Sequence, residues 1–177
     1  NAYDMAVIFG ETHLMESVTG KPPRVGGLPG RLEATGRGLA TCIAAAARKH
    51  LDSDLTGLSV AVQGFGNVGS WCAHFIDQLG ARVVAASDIS GGVYAGDGLD
   101  VRNLAEWCGA GKMLADHPDY EPMTNAELLA ADVDILVPAA AEDMLAEETA
   151  EHVSARLIVE GANGPTTPAA DVILNRR

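Results

Sequence analysis

The tightest constraint on this 177-residue chain lies at Gln63, where an apolar run stops and a glycine pattern begins. Leu58-Ser59-Val60-Ala61-Val62-Gln63 is short, β-branched and preceded by Gly57, as a buried strand would be. Gly64-Phe65-Gly66-Asn67-Val68-Gly69 follows without a spacer, and Asn67 to Leu79 then reads as a helix closed by Gly80. An isolated GxGxxG pattern is weak, but one that ends a strand and opens a helix leaves few folds open. Gly64 permits the tight turn, Gly66 keeps a side chain out of the path of a phosphate, and Gly69 lets the helix pack closely on the strand. Phosphates would meet the amides of the helix opening, near Asn67 and Val68.

A second strand, Ala81 to Ser87, ends at Asp88 with Ile89 after it, roughly twenty residues beyond Gly69. A carboxylate there accepts hydrogen bonds from both hydroxyls of an adenosine ribose and repels a 2′-phosphate. No arginine or lysine follows in Ser87-Asp88-Ile89-Ser90, which favours NAD and leaves NADP as the second possibility. S-adenosylmethionine-binding folds share the loop and the acid but usually lack the third glycine spacing. The remaining chain alternates. Ser90 to Gly98 is turn-rich with room for a short hairpin, and Val101 to Gly109 reads as a helix. Thr124-Asn125-Ala126-Glu127 is a capping box opening another. Asp134 to Val137 reads as a strand stopped by Pro138, Glu142 to Val153 as a helix, and Arg156 to Glu160 as a fourth strand. Thr167 before Pro168 opens a final helix. This alternation predicts an α/β, Rossmann-type doubly wound fold: a mainly parallel sheet with helices on both faces.

Upstream of the first strand, apolar positions at helical spacing predict a helix over Met5 to Ser17, and a second helix runs from Glu33 to His50, closed by Arg48, Lys49 and His50. Between them, Thr19 to Arg31 holds four glycines and three prolines in thirteen residues, which excludes a regular element. The expected organisation is an N-terminal helix and Gly/Pro-rich loop over 1–34 and a dinucleotide-binding domain over 35–177.

Composition closes off other classes. A net charge of −12 opposes a nucleic-acid surface. No apolar run approaches the ~18 residues of a membrane span, and Asn1-Ala2-Tyr3-Asp4 does not open a signal peptide. Cys42, Cys72 and Cys108 are odd in number and far apart, as befits thiols in a reducing cytoplasm, and no histidine pair has metal-ligand spacing.

Four blocks together resemble the cofactor-binding domain of the glutamate/leucine/phenylalanine/valine dehydrogenase superfamily, the glutamate branch most of all. They are Thr19-Gly20-Lys21-Pro22 with Gly26-Gly27 and Gly30-Arg31, then Glu33 to Gly38, Val62 to Gly69, and Glu160 to Thr167. The resemblance implies oxidative deamination of L-glutamate to 2-oxoglutarate and ammonia, with hydride passing to a nicotinamide. It also implies that Thr35 lies near the nicotinamide carboxamide and Asn163 near its ribose. Ala139 and Ala140, small residues after the third strand, leave room for the cofactor at the strand ends. Leu28 departs from the serine common in the family, and Ala141-Glu142-Asp143 departs from its usual longer residue.

The resemblance places the family's catalytic lysine and aspartate in a substrate domain that has no counterpart here, so no residue of this chain is assigned to catalysis and Lys21 is not promoted to a base. Two readings follow. In the first, the chain is the cofactor half of a longer, homohexameric cytoplasmic enzyme. By itself it binds the dinucleotide, meets no amino-acid substrate, and is a monomer or weak dimer. In the second it is a non-catalytic nucleotide-binding regulatory module.

Overall fold

A computed structural model describes residues 2–176. The chain divides into two compact units, Asn1–Ala34 and Thr35–Arg177.

In the short unit, helix α1 spans Ala2–Thr12 and buries none of its residues. It stops earlier than its apolar spacing predicts because His13 takes a left-handed backbone (φ 54), and a 3₁₀ turn, Met15–Ser17, follows. The Gly/Pro-rich stretch holds only one further 3₁₀ turn, Pro23–Val25. Lys21 is its anchor: buried, it donates from Nζ to the Met15 carbonyl (2.7 Å) and to the Val18 carbonyl. A lysine so engaged is a structural tie.

The larger unit carries the rest of α2 (Arg31–His50), then β1 (Ser59–Gln63), α3 (Asn67–Gln78), β2 (Arg82–Asp88), β3 (Gly91–Tyr94) and α4 (Val101–Gly109). After a 3₁₀ turn at Leu114–Asp116 come β4 (Glu121–Met123), α5 (Asn125–Ala130), β5 (Ile135–Pro138), α6 (Glu147–Ala150), β6 (Leu157–Ile158) and α7 (Pro168–Leu174). One sheet runs in the order β4-β3-β2-β1-β5-β6. β2, β1, β5 and β6 are parallel neighbours, whereas β3 and β4 pair antiparallel at one edge. The chain therefore leaves β1 for β2 on one side and later returns to lay β5 on the other. The fold is doubly wound α/β of the Rossmann type.

Side chains alternate between two cores. Val60, Val62, Ile135 and Val137 pack with Leu39, Ile43, Cys72 and Ile76 of α2 and α3. Ala61 and Leu136 face Leu128, Leu129, Leu145, Ala150 and Ala170 on the opposite side. A fully buried Leu, Ile or Val contributes roughly 1.5–3 kcal/mol through the water it leaves, so both layers hold the sheet. The alternation breaks once. Val84 and Ala85 both face the second core, because the β1–β2 register jumps between Val60 and Ala61. Helix crossings need small residues: a Cβ on Gly36 would stand 2.5 Å from that of Trp71, where α2 crosses α3.

Three further expectations change. The turn-rich Ser90 region supplies β3, and a further strand, β4, joins it unannounced, because Pro122 masks it. Proline lacks an amide for the ladder and is tolerated only at edges such as this. The helix expected over Glu142–Val153 shrinks to Glu147–Ala150, because backbone amides upstream are engaged elsewhere. Asp143 (φ 58) donates to the Gly164 carbonyl at 3.1 Å, and Leu145 to that of Pro165 at 2.8 Å. The fourth strand contracts to Leu157–Ile158, although Val159 still donates to the Leu136 carbonyl at 3.0 Å. No helix among the described residues is long and apolar enough to cross a membrane.

Candidate nucleotide-binding cleft

At the carboxyl ends of β1 and β5 the sheet opens into a cleft of about 570 Å³. Its position follows from strand order: the segments leaving β1 and β5 depart to opposite faces and leave a crevice between them.

The floor is the β1–α3 turn. Gly64 is left-handed (φ +92), and a Cβ there would lie 2.6 Å from the Ala140 Cα, so turn and β5 exit touch backbone to backbone. The Gly64 and Phe65 amides both donate to the Ser87 carbonyl, at 2.9 and 2.6 Å, and tie the turn to β2. A Cβ on Gly69 would overlap the Gly64 carbonyl oxygen, which fixes how closely α3 sits on the strand. Gly66 is different. Nothing lies within 4 Å of where its Cβ would be, so this position faces open space in the cleft. Gly66 also caps α3 and, having no side chain, brings no capping acceptor of its own to the helix opening. Amides in a first helical turn have no intrahelical acceptor, and their dipoles add to a positive end.

One wall is the end of β2. Asp88 folds its carboxylate back on its own loop. Oδ1 accepts from the Ser90 amide (2.7 Å) and hydroxyl (2.5 Å), and Oδ2 from the Leu114 amide (2.9 Å). A carboxylate has about four acceptor positions, so one remains for another donor. Asn125, the first residue of α5, braces this wall. Its Nδ2 donates to the Asp88 carbonyl (3.1 Å), and its Oδ1 accepts from the Ser87 hydroxyl (2.7 Å). The capping box beside it forms as expected, with Thr124 and Glu127 exchanging bonds. These two bonds from Thr124 outweigh the slight desolvation and lower the Glu127 pKa. Ile89 stands at the lip, 92% exposed, an apolar shelf beside the acid. Cys108 also lines the cleft, and burial, aided by the nearby Asp88 charge, pushes its thiol pKa up, which favours the inert protonated form.

The other wall is the β5 exit, Ala139 to Ala141 with Met144 beyond. The Ala139 amide donates to the Gln63 carbonyl at 2.7 Å. Small side chains keep this wall low.

Seven of the residues singled out from sequence line this cleft together: Gly64, Phe65, Gly66, Asp88, Ile89, Ala139 and Ala140. The Phe65 ring itself packs in the core, so the residue can meet a ligand only through little more than its backbone. Asn67, Val68 and Gly69 form the opening turn of α3 directly behind Gly66. Thr35, exposed on α2, and Asn163, exposed after β6, are not part of the lining. The loop bearing Asn163 is nevertheless held at β5, because the Gly161 and Ala162 amides both donate to the Pro138 carbonyl (2.9 and 3.1 Å).

Sequence reading passed over Cys108, Lys112, Met113, Asn125, Ala141 and Met144 as cleft residues. Only Asn125 carried a local signal, its place in the capping box. The buried His117 belongs to the scaffold: its Nδ1 accepts from the Asp119 amide (3.3 Å), so Nε2 carries the proton toward Asn103 Oδ1 (2.7 Å). No cluster of three or more potential metal ligands occurs among the described residues.

A doubly wound sheet with an open glycine and an acid at its switch point has the architecture of the Rossmann-type α/β folds. Residues 26–177 match the family model of Glutamate/Leucine/Phenylalanine/Valine dehydrogenases, and the chain belongs to that family of oxidoreductases. It is 52% identical over 161 residues to a glutamate dehydrogenase of Thermotoga maritima, covering 90% of this chain and 38% of that protein. It is 45% identical over 159 residues to an NADP-specific glutamate dehydrogenase of Saccharolobus shibatae (90% and 37%). It is 44% identical over 160 residues to an NAD-specific glutamate dehydrogenase A of Halobacterium salinarum (90% and 36%). Among solved structures, the hetero-hexameric glutamate dehydrogenase of Thermus thermophilus, in a Leu-bound form, superposes with a TM-score of 0.83 at 34% identity, over 98% of this chain and 40% of that one. The chain thus spans well under half the length of each of these relatives.

Proposed function

We propose that residues 35–177 form the nicotinamide-dinucleotide-binding domain of a glutamate dehydrogenase, with residues 1–34 leading in from a substrate domain. The observation that carries this reading is the open position at Gly66, a cradle that any Cβ would fill, at the N-cap of α3. The residues present fit the cofactor. The amides around Asn67 and Val68 take the pyrophosphate at the positive helix end. Asp88 uses its remaining acceptor capacity for the adenosine ribose, and Ile89 gives the adenine an apolar shelf. Ala139 and Ala140 leave room where the dinucleotide crosses the sheet. Thr35 and Asn163 are assigned to the nicotinamide end by family resemblance.

The bound nicotinamide supplies the hydride acceptor. In the complete enzyme, L-glutamate and water yield 2-oxoglutarate and ammonium while NAD becomes NADH and a proton is released. The relatives' names support glutamate over the family's other amino acids. This chain's part is to bind and orient, since the reaction also needs a substrate held against the ring and a tuned base. We assign NAD as cofactor with NADP also accepted, a cytoplasmic setting, and a homohexamer for the complete enzyme. Calorimetric titration of the chain with NAD tests the reading: saturable binding is expected, with no glutamate-dependent NADH production. Absence of nucleotide binding would overturn the domain assignment. Turnover by this chain alone would overturn the division of labour.

A further inference from the structure

Asn163 and Gly164 form the one asparagine–glycine pair in the chain. The fold anchors their neighbours and leaves the reactive atoms of the pair unengaged. Upstream, the Gly161 and Ala162 amides donate to the Pro138 carbonyl at 2.9 and 3.1 Å. Downstream, the Gly164 carbonyl accepts from the Asp143 amide at 3.1 Å, and the Pro165 carbonyl from the Leu145 amide at 2.8 Å. Asn163 and Gly164 are both exposed between these anchors. Among the described residues, neither the Asn163 carboxamide nor the Gly164 amide has a hydrogen-bond partner. Nothing lies within 4 Å of where a Gly164 Cβ would be, so no side chain screens its nitrogen. The other described asparagines are held back. Asn125 has both ends of its carboxamide engaged, at Asp88 and Ser87, and Asn175 donates from Nδ2 to Asp171. Asn103 is paired with His117, and the Leu104 amide after it donates within α4, to the Asp100 carbonyl at 3.0 Å. Asn67 is followed by the β-branched Val68, which crowds the following amide. Even the Asp97–Gly98 pair has its glycine amide occupied, by the Ala95 carbonyl at 3.0 Å.

We propose that Asn163 is a spontaneous modification site, deamidated through a cyclic imide. The Gly164 nitrogen gives up its proton and attacks the Asn163 carboxamide carbon. A nitrogen–carbon bond forms, the bond to Nδ2 breaks, and ammonia leaves with that proton. Water then opens the ring. Attack at the side-chain carbonyl leaves an aspartate with the original backbone, and attack at the main-chain carbonyl leaves an isoaspartate whose chain runs through Cβ. No reagent but water is consumed. The isoaspartate inserts one methylene between the two anchors, so the Gly164 carbonyl is displaced from the Asp143 amide. Asp143 lies between Ala141 and Met144, which line the cleft, so that wall loosens and gains a negative charge. Given the reading of this cleft as a dinucleotide site, on which only this consequence rests, conversion also lowers dinucleotide affinity.

The test ages the folded 177-residue chain at mildly alkaline pH beside a free peptide of residues 161–166, which serves as the clock. Isoelectric focusing should show a species one unit more negative than the starting net charge of −12. Peptide mapping should place a gain of one mass unit on the segment holding Asn163, and isoaspartyl methyltransferase should label that segment. In Asn163→Gln, where the ring cannot form with five members, and in Gly164→Ala, where a methyl screens the nitrogen, the charge shift should slow about tenfold or more. A barrier higher by about 1.4 kcal/mol suffices for that. A charge shift that persists at full rate in both variants arises elsewhere and overturns the inference. So does a folded chain that stays unchanged while the peptide converts. Calorimetric titration with NAD then compares fresh and converted chain. Affinity should fall about fivefold or more on conversion, the size of one lost hydrogen bond, and an unchanged affinity overturns the coupling to the cleft. Failure of the fresh chain to bind NAD overturns the dinucleotide reading, and the focusing and mapping still decide the modification.

Discussion

The same strands end in two different ways. At their amino ends β1, β5 and β6 are clamped shut. Asp134 accepts from the Ser59 amide and hydroxyl at 2.9 Å each, its own amide donates to the Ser59 hydroxyl at 2.9 Å, and Arg156 reaches it at 2.9 Å. At their carboxyl ends β1 and β5 part around an open cleft. There, Gly66 faces empty space at the N-cap of α3, and the Gln63 amide is the one buried side-chain group without a hydrogen-bond partner among the described residues. Polar groups at the clamped end satisfy each other across the strands, whereas at the cleft end the Gly66 position stays open and the Gln63 amide unpaired. Under the proposed function, stability and binding fall at opposite ends of one sheet, and substitutions can pull them apart.

The largest effect should come from the point where the cleft end is also packed. Gly69→Ala places a methyl on the Gly64 carbonyl, and we expect a loss of about 3 kcal/mol or more in urea unfolding. A loss below about 1 kcal/mol would show that the turn yields and is not a rigid floor. Next, Gly66→Val should leave stability within roughly 1 kcal/mol yet reduce dinucleotide affinity about a hundredfold, as a side chain replaces the phosphate. Equal losses in both readouts would erase the contrast between the two ends.

At the clamp, Asp134→Ala should cost about 1–3 kcal/mol by stranding the Ser59 donors, with dinucleotide affinity unchanged. Its acid response carries a sign. Burial alone would raise the Asp134 pKa, but the two Ser59 bonds and Arg156 outweigh it and hold the carboxyl below its ordinary 3.8. The clamp's contribution is therefore complete above pH 3.8 and is lost as pH falls through the lower folded value. The wild-type chain should lose more stability than the variant between pH 4 and pH 2, measured by denaturant midpoints. Smallest of all, Gln63→Met replaces an unpartnered buried amide with an apolar chain of similar length. We expect no loss, or a gain of up to about 1 kcal/mol. A clear loss would reveal a polar role for Gln63 at the cleft floor.

Much of this was legible beforehand, for local reasons. The run through Val60 and Val62 into three spaced glycines encodes strand, turn and helix within a dozen residues, and the floor of the cleft is read directly from it. Asp88 and the Thr124–Glu127 capping box are likewise local signals. The misreadings share one cause. β4 hides behind Pro122 because an edge strand needs only half its hydrogen bonds. Residues 142–146 look helical by charge and alanine content, yet the Asp143 and Leu145 amides are claimed by the Gly164 and Pro165 carbonyls, some twenty residues on. Lys112 carried no signal, because the loop that brings it to the cleft is tied there by a bond from Leu114 to Asp88.

The sequence by itself determined the alternation of strands and helices, the glycine turn, the acid after the second strand and the family to which the chain belongs. The first three rest on periodicity, steric allowance or capping chemistry that acts over a few neighbouring residues, and the family on the resemblance of four sequence blocks. Tertiary structure alone decided that β5 returns beside β1 to open the crevice, that Asn125 and Leu114 brace Asp88, and that Lys112 lines the same cleft. Those are contacts between segments far apart in the chain. Which partner a backbone amide or an ammonium finds is settled only when the sheet has been assembled and buried, and competing partners have been excluded.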